Sequence, residues 1–333
     1  MRFILWLISG LFLLSAGGCQ RKVKTPGNEV QEATPLKVKV HRYEKDLFTL
    51  DQSNLRNEVL RLAPQYPLFL GTTTPDTASL MRLSAYLGDT LIQSIYRETM
   101  KAYPGLDTVE SELGQAFANY GRAFPGSVPP AVFTYISGID YENPVRLADS
   151  ALIIALDMYL GSDSRFYSQS GIPQFRTLGC DRHSIVPDVI KEMIFSKMPQ
   201  DHQDKKLLDW MIFYGKILAA LDEIIPGVPD YRKITYSPEQ LQWCREHEAR
   251  IWGYFIANKL LYTADSKQVM DFIADAPFTK GLNKESPGRI GWWVGWQIVR
   301  SYREKNPAVT LPQLIQMEDA QEILNQSGYR PGK

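Results

Sequence analysis

Residues 247–251 read HEARI, inside the run QLQWCREHEARIWGYF. A helix carrying HExxH presents two imidazoles at i and i+4 on one face, so both reach a single Zn²⁺. Here Ile251 stands where the second histidine would be, and it cannot ligate. The chain has four histidines, at 41, 183, 202 and 247, and no two share a helix at ligand spacing. The His247–Glu248 pair is therefore read as coincidental, and no metal ligand is assigned. Glu248 itself falls in the 3-4-3-4 series Leu241, Cys244, Glu248, Ile251, Phe255, in the middle of an apolar stripe. A carboxylate buried there must be paired or neutralised. The expected partner is a cation or the polar tip of a Tyr or Trp, with Arg289 as one candidate.

Other chemistry-bearing stretches read as structural. In LDMYLGSDSRFY (156–167), Asp157 and Asp163 flank Gly161, and two acids so placed can hold a cation. The longer ligand series ending in Glu that an EF-hand uses is missing, so a locally satisfied turn is expected. In ESPGRIGWWVGWQIVRSY (285–302), Gly288, Gly291 and Gly295 recur at i, i+3 and i+7, which lets a second backbone approach closely. Trp293 and Trp296 add apolar area, giving a packing seam or, alternatively, an aromatic pocket or docking surface; a third reading has the tryptophans around 292–296 bind an envelope glycan. The sequence contains neither a phosphate loop nor a GxSxG serine elbow. No catalytic residue and no cofactor is assigned.

Helices and a small sheet must position these residues. PLKVKVHRYE (35–44) alternates apolar and polar side chains at period two, and VPPAVFTYISG (128–138) and SALIIALDMYLG (150–161) are further strand candidates. Between the first two, residues 77–104 and 110–125 carry helical spacing. From residue 184 onward the chain reads as almost wholly helical, with helices over 184–198, 205–225, 237–262 and 288–305 and short ones near 311–316 and 318–326. The third of these opens with Ser237, Pro238 and Gln240, a capping box with a preorganised first turn. The fold class implied is α+β, predominantly α-helical, with a small sheet in the N-terminal half and one domain over 35–333.

The start of the chain speaks to location. Arg2, the apolar run FILWLISGLFLL (3–14) and SAGGC (15–19) follow the order of a secretory signal, too short to span a bilayer as a mature helix. Small residues followed at once by Cys19 predict lipoprotein processing: a signal over 1–18, diacylglycerol on the Cys19 thiol, and palmitate-type acylation of the freed amine. Ala16 departs from the leucine usual three places before the cysteine. Each buried CH₂ of such chains contributes about 0.8 kcal/mol of membrane affinity. Residues 19–34 then read as lipidated cysteine and tether, with Pro26-Gly27 as a breaker pair. The absence of acids directly after Cys19 favours a periplasm-facing anchor. Lys+Arg and Asp+Glu are 37 each, so no net field draws nucleic acid. Cys180 and Cys244 can pair in an oxidising compartment or stay buried as thiols; spacing does not choose.

Several blocks together resemble the gliding motility lipoprotein GldB family of Bacteroidota: VHRYEKDLF (40–48), FTYISGIDYE (133–142), ALIIALDMYLGSDSRFY (151–167), IVPDVIKEMI (185–194), MIFYGKILAALDEIIP (211–226), DAPFTK (275–280), SPGRIGWWVGWQIVRSY (286–302) and LNQSGYRPGK (324–333). The resemblance covers 36–333. It implies a membrane-anchored envelope protein, held through Cys19, with protein partners in the gliding machinery. That family is also distantly similar to zincin-type peptidases, which admits a zincin-like core here. Carried over, the zinc helix would be IVPDVIKEM, where Asp188 and Glu192 are the only acids, and the later ligand position would fall near Tyr214. With the histidines gone, the resemblance implies a non-catalytic descendant of a peptidase-like fold. The rival reading is a hydrolase with an atypical metal site on Asp188, Glu192 and Glu248.

Overall fold

The structure is a computed structural model and describes residues 33–201 and 205–332; Cys19 and its flanking signal and tether lie outside them. Residues Ala33–Lys333 form one compact unit. After an extended stretch, β1 (Val40–Arg42) runs directly into α1 (Tyr43–Leu47), followed by α2 (Leu55–Leu62) and α3 (Pro67–Leu70). Then come α4 (Thr77–Gly88), α5 (Thr90–Ala102), α6 (Asp107–Ala123), β2 (Ala131–Tyr135), β3 (Val145–Ala148) and β4 (Ala151–Ala155). Next are α7 (Arg165–Gln169), α8 (Ile185–Phe195), α9 (Leu207–Ile224), α10 (Asp230–Ile234), α11 (Pro238–Glu246) and α12 (Glu248–Ala257). The chain finishes with α13 (Ser266–Ile273), α14 (Ile290–Lys305), α15 (Leu311–Gln316) and α16 (Ala320–Ser327). The fold is thus α+β and predominantly helical, as the sequence pattern implies.

The four strands form one mixed sheet in the order β1-β2-β4-β3. β1, β2 and β4 are parallel, with Val40 opposite Val132 and Thr134 opposite Ile154, while β3 returns antiparallel to β4. Alternation along β2 sends Val132 into the main core and Phe133 to the other face, where α1 to α4 pack over a smaller cluster around Tyr43, Leu62 and Leu87. On the main side, α9 and α14 are the central helices. Their contact needs glycine: a Cβ on Gly295 would lie 1.7 Å from the Met211 carbonyl oxygen, and one on Gly215 2.4 Å from the Gly295 carbonyl carbon. The glycine spacing in 285–302 is therefore a packing seam. Trp293 and Trp296 sit inside it at 2% and 0% exposure, so of the tryptophans over 292–296 the half-buried Trp292 is the one that keeps a surface a glycan can meet.

Several expected boundaries shift. The strand expected over 35–44 contracts to three residues, because Leu36 N–H is taken by the Gly114 carbonyl of α6 and Val40 N–H by Glu110. The helix expected over 77–104 is two, broken where the Asp89 side chain caps Leu91 and Ile92 N–H. Likewise 237–262 divides at His247 into α11 and α12, followed by a 3₁₀ turn at Leu260–Tyr262. The Ser237–Gln240 capping box is present as read. Helices at 311–316 and 290–305 match closely, whereas α2, α3, α7, α10, α13 and β3 have no counterpart in the sequence reading.

Candidate functional site

A cleft of about 520 Å³ opens beside the outer strand β3, walled by the loop before it, by α8 and α9, and by Asp275, Arg289 and Trp292. Helix spacing places Asp188, Lys191, Glu192 and Phe195 along the cleft-facing side of α8. Asp188 is held on both oxygens: Tyr159 Oη donates to Oδ2 at 3.0 Å and Lys191 Nζ to Oδ1 at 3.0 Å. Lys191 also reaches Thr235 Oγ1 at 3.1 Å. Burial, with the Asp188 charge beside it, pushes the Tyr159 hydroxyl far above its ordinary range, so it stays a donor.

Across the cleft, Arg289 stands in the left-handed region at φ 54°, just before α14. Its guanidinium pairs with Asp275 Oδ1 at 3.0 Å and donates to the carbonyls of Ile234 and Thr235. It also lies 4.9 Å from the Trp292 ring centroid, a cation–π contact. Trp292 in turn stacks on Tyr214 at 3.9 Å, and its indole N–H donates to the Ile273 carbonyl. At the mouth, Arg176 meets Glu142 at 3.4 Å and covers the Tyr141 ring, and Arg146 pairs with Asp140. Cys180 lines the wall as a thiol whose pKa burial pushes up to about 12.

Glu192 differs from the other cleft acids. It is half-buried, desolvation raises its carboxyl pKa, and the Leu147 backbone N–H of β3 is the hydrogen bond that opposes the rise. No cation pairs with it among the described residues.

The cleft thus joins Asp188, Glu192 and Tyr214, the positions the zincin carry-over points to, but not Glu248. That residue opens α12 and accepts a 2.8 Å hydrogen bond from Tyr329 Oη. Its suggested partner Arg289 is committed to Asp275, so the expectation of a Tyr or Trp partner holds and that of Arg289 does not. His247 stacks on Trp243. Asp157 is fully buried and accepts from Ser137 and Ile139 N–H, while Asp163 is exposed; the pair forms no cation site. Among the described residues no group of three His, Cys, Asp or Glu side chains is placed to hold a metal. Asp188 and Glu192 do not fit zinc either, because the Lys191 ammonium already occupies the place beside Asp188 where a cation would bind. Sequence reasoning missed Lys191, Arg176 and the Asp275–Arg289 pair; the one signal for the last was Arg289 between two glycines.

Fold and cleft define a helical α+β protein with a cleft of paired charges and aromatic rings. The model of the gliding motility protein GldB family matches residues 24–331, and the chain belongs to that family. Comparison with curated proteins and with solved structures gives no match.

Proposed function

We propose that this gliding motility protein is a lipid-anchored, non-catalytic component of the cell envelope. It is held in the membrane through Cys19, faces the periplasm, and works by binding protein partners of the motility machinery through its cleft. The family match over 24–331 supports the motility role, and the order Arg2, apolar run, SAGGC supports the anchor. No helix among the described residues is long and apolar enough to cross a membrane, so the described part supplies no helical anchor of its own. The observation that carries the non-catalytic reading is Asp188, locked by Tyr159 and Lys191 where a peptidase would need a free ligand.

Two measurements on the full chain test this. Cys19→Ala is expected to move the protein from the membrane to the soluble fraction; unchanged membrane association would remove the anchor. Protein purified without chelator or metal resin is expected to carry less than about a tenth of a zinc per chain. A stoichiometric ion lost in Asp188→Asn would restore the hydrolase reading.

A further inference from the structure

We propose that the cleft takes one cationic side chain, lysine or arginine, from an extended segment of a partner polypeptide, and that Glu192 is the carboxylate that receives it. This deepens the binding-component reading and rests on it. The charge balance of the cleft wall carries the argument. Arg146, Arg176, Lys191 and Arg289 line the cleft, and each already has an acid: Asp140, Glu142, Asp188 and Asp275 respectively. Glu192 is the acid left over. A carboxylate offers about four acceptor positions, and the Leu147 N–H uses one. An anionic ligand would have to compete with an acid for every cation in the wall, with Arg176 Nε, among the described residues, the one buried donor there left without a partner, whereas a neutral ligand would leave a half-buried carboxylate desolvated without compensation. A cation satisfies it.

The surroundings favour a basic side chain on an extended backbone. Phe195 lies one turn after Glu192 on the same helix, and the Tyr214–Trp292 stack lines the same cleft, which gives the aliphatic stem apolar contact and the charge aromatic neighbours. β3 is the outer strand of the sheet, with β4 as its single strand neighbour. The Pro144 carbonyl bonds inward to Ala155 N–H, in an antiparallel register that sets Val145 opposite Ile154 and Leu147 opposite Leu152. Residues 145 and 147 therefore direct their backbone groups away from β4, since hydrogen-bonding direction alternates along a strand. An extended peptide in the cleft passes the Pro144–Arg146 end of this edge, where Val145 turns its backbone groups outward, and so brings a side chain to Glu192. An amine lipid headgroup has no backbone to offer the edge.

The test uses the full chain in detergent and three acetylated, amidated peptides, Val-Thr-X-Thr-Val, with X as lysine, arginine or norleucine. Calorimetry is expected to show the lysine and arginine peptides binding at least about tenfold tighter than norleucine. Glu192→Gln should abolish that preference while leaving the melting temperature in place, because the half-buried Glu192 makes no ion pair among the described residues and glutamine keeps its shape. Equal binding of norleucine, a preference that survives Glu192→Gln, or no binding of any peptide overturns the proposal. So does Glu192-dependent binding to phosphatidylethanolamine vesicles without peptide binding. A photo-crosslinking residue at Phe195 in cells separates the two readings. Capture of the same protein by wild type and Glu192→Gln sinks the cation site and leaves a protein-binding cleft; capture by neither sinks both.

Discussion

Two ionic groups outside the cleft, one buried and one half-buried, show how single side chains set the molecule's stability. Lys216, in the middle of α9, is 4% exposed and donates to the carbonyls of Ile315 and Met317, closing the end of α15. Desolvation lowers its pKa from 10.5 to about 8. Below pH 8 both folded and unfolded states hold the proton and the burial cost is fully present. Between pH 8 and 10.5 the unfolded chain binds a proton that the folded chain has released, so this group's contribution to stability rises with pH. Denaturation of wild type and Lys216→Met at pH 7 and 9.5 should show the wild type gaining about 1–2 kcal/mol relative to the variant. A constant difference would mean that Lys216 keeps its ordinary pKa. Asp222 accepts from Arg300 through both oxygens, from Lys233 at 2.8 Å and from the Trp296 indole at 2.9 Å. Asp222→Ala leaves the buried Lys233 and the half-buried Arg300 to share Asp230, and a loss of about 2–4 kcal/mol in chemical denaturation is expected.

Helix pairing rests on a few glycines. α9 and α14 cross with backbone against backbone, so Gly295→Ala must drive the helices apart. The expected cost exceeds about 3 kcal/mol, at or beyond the upper end for overpacking, because the obstructing atoms are main chain and cannot rotate away. Gly253 in α12 is the control: it is exposed and a Cβ there meets nothing within 4 Å. Gly253→Ala should stabilise by about 0.5–1 kcal/mol by restricting the unfolded chain. A thermal melt of both variants checks the pair; equal effects would mean that the glycine seam is not a close contact. Much of this was visible in the residue order, since glycines at i, i+3 and i+7 beside tryptophans already describe a seam. The helix breaks at Asp89 and His247 were less visible. Apolar spacing continues through both; at His247 the buried Leu241, Cys244, Ile251 and Phe255 keep a single stripe across the break, so the pattern carries no sign of it.

Across the whole unit, one large core runs from the sheet through α16, and both described thiols are inside it. Cys180 and Cys244 are free and 4% and 0% exposed, and burial raises both thiol pKa values. Native protein should therefore react slowly with a thiol reagent, and denaturant should release two equivalents from these positions even after exposure to oxidant. Loss of both after oxidation, with a mass lower by two hydrogen atoms, would show that they pair. The split between local and long-range information follows the same lines. Periodicity, caps and composition, which act within a few residues, determined the helical α+β class, the Ser237 capping box, α9, α14 and α15. The family resemblance, carried by blocks of local sequence, pointed to the acid pair Asp188 and Glu192 on one helix. Partners were decided by packing. Asp188 meets Tyr159 from 29 residues away and Glu248 meets Tyr329 from 81. Glu192 is left without a cation because every cation brought to the cleft arrives with its own acid. Such pairings depend on which surfaces fold against each other, and residue spacing along the chain carries no record of that.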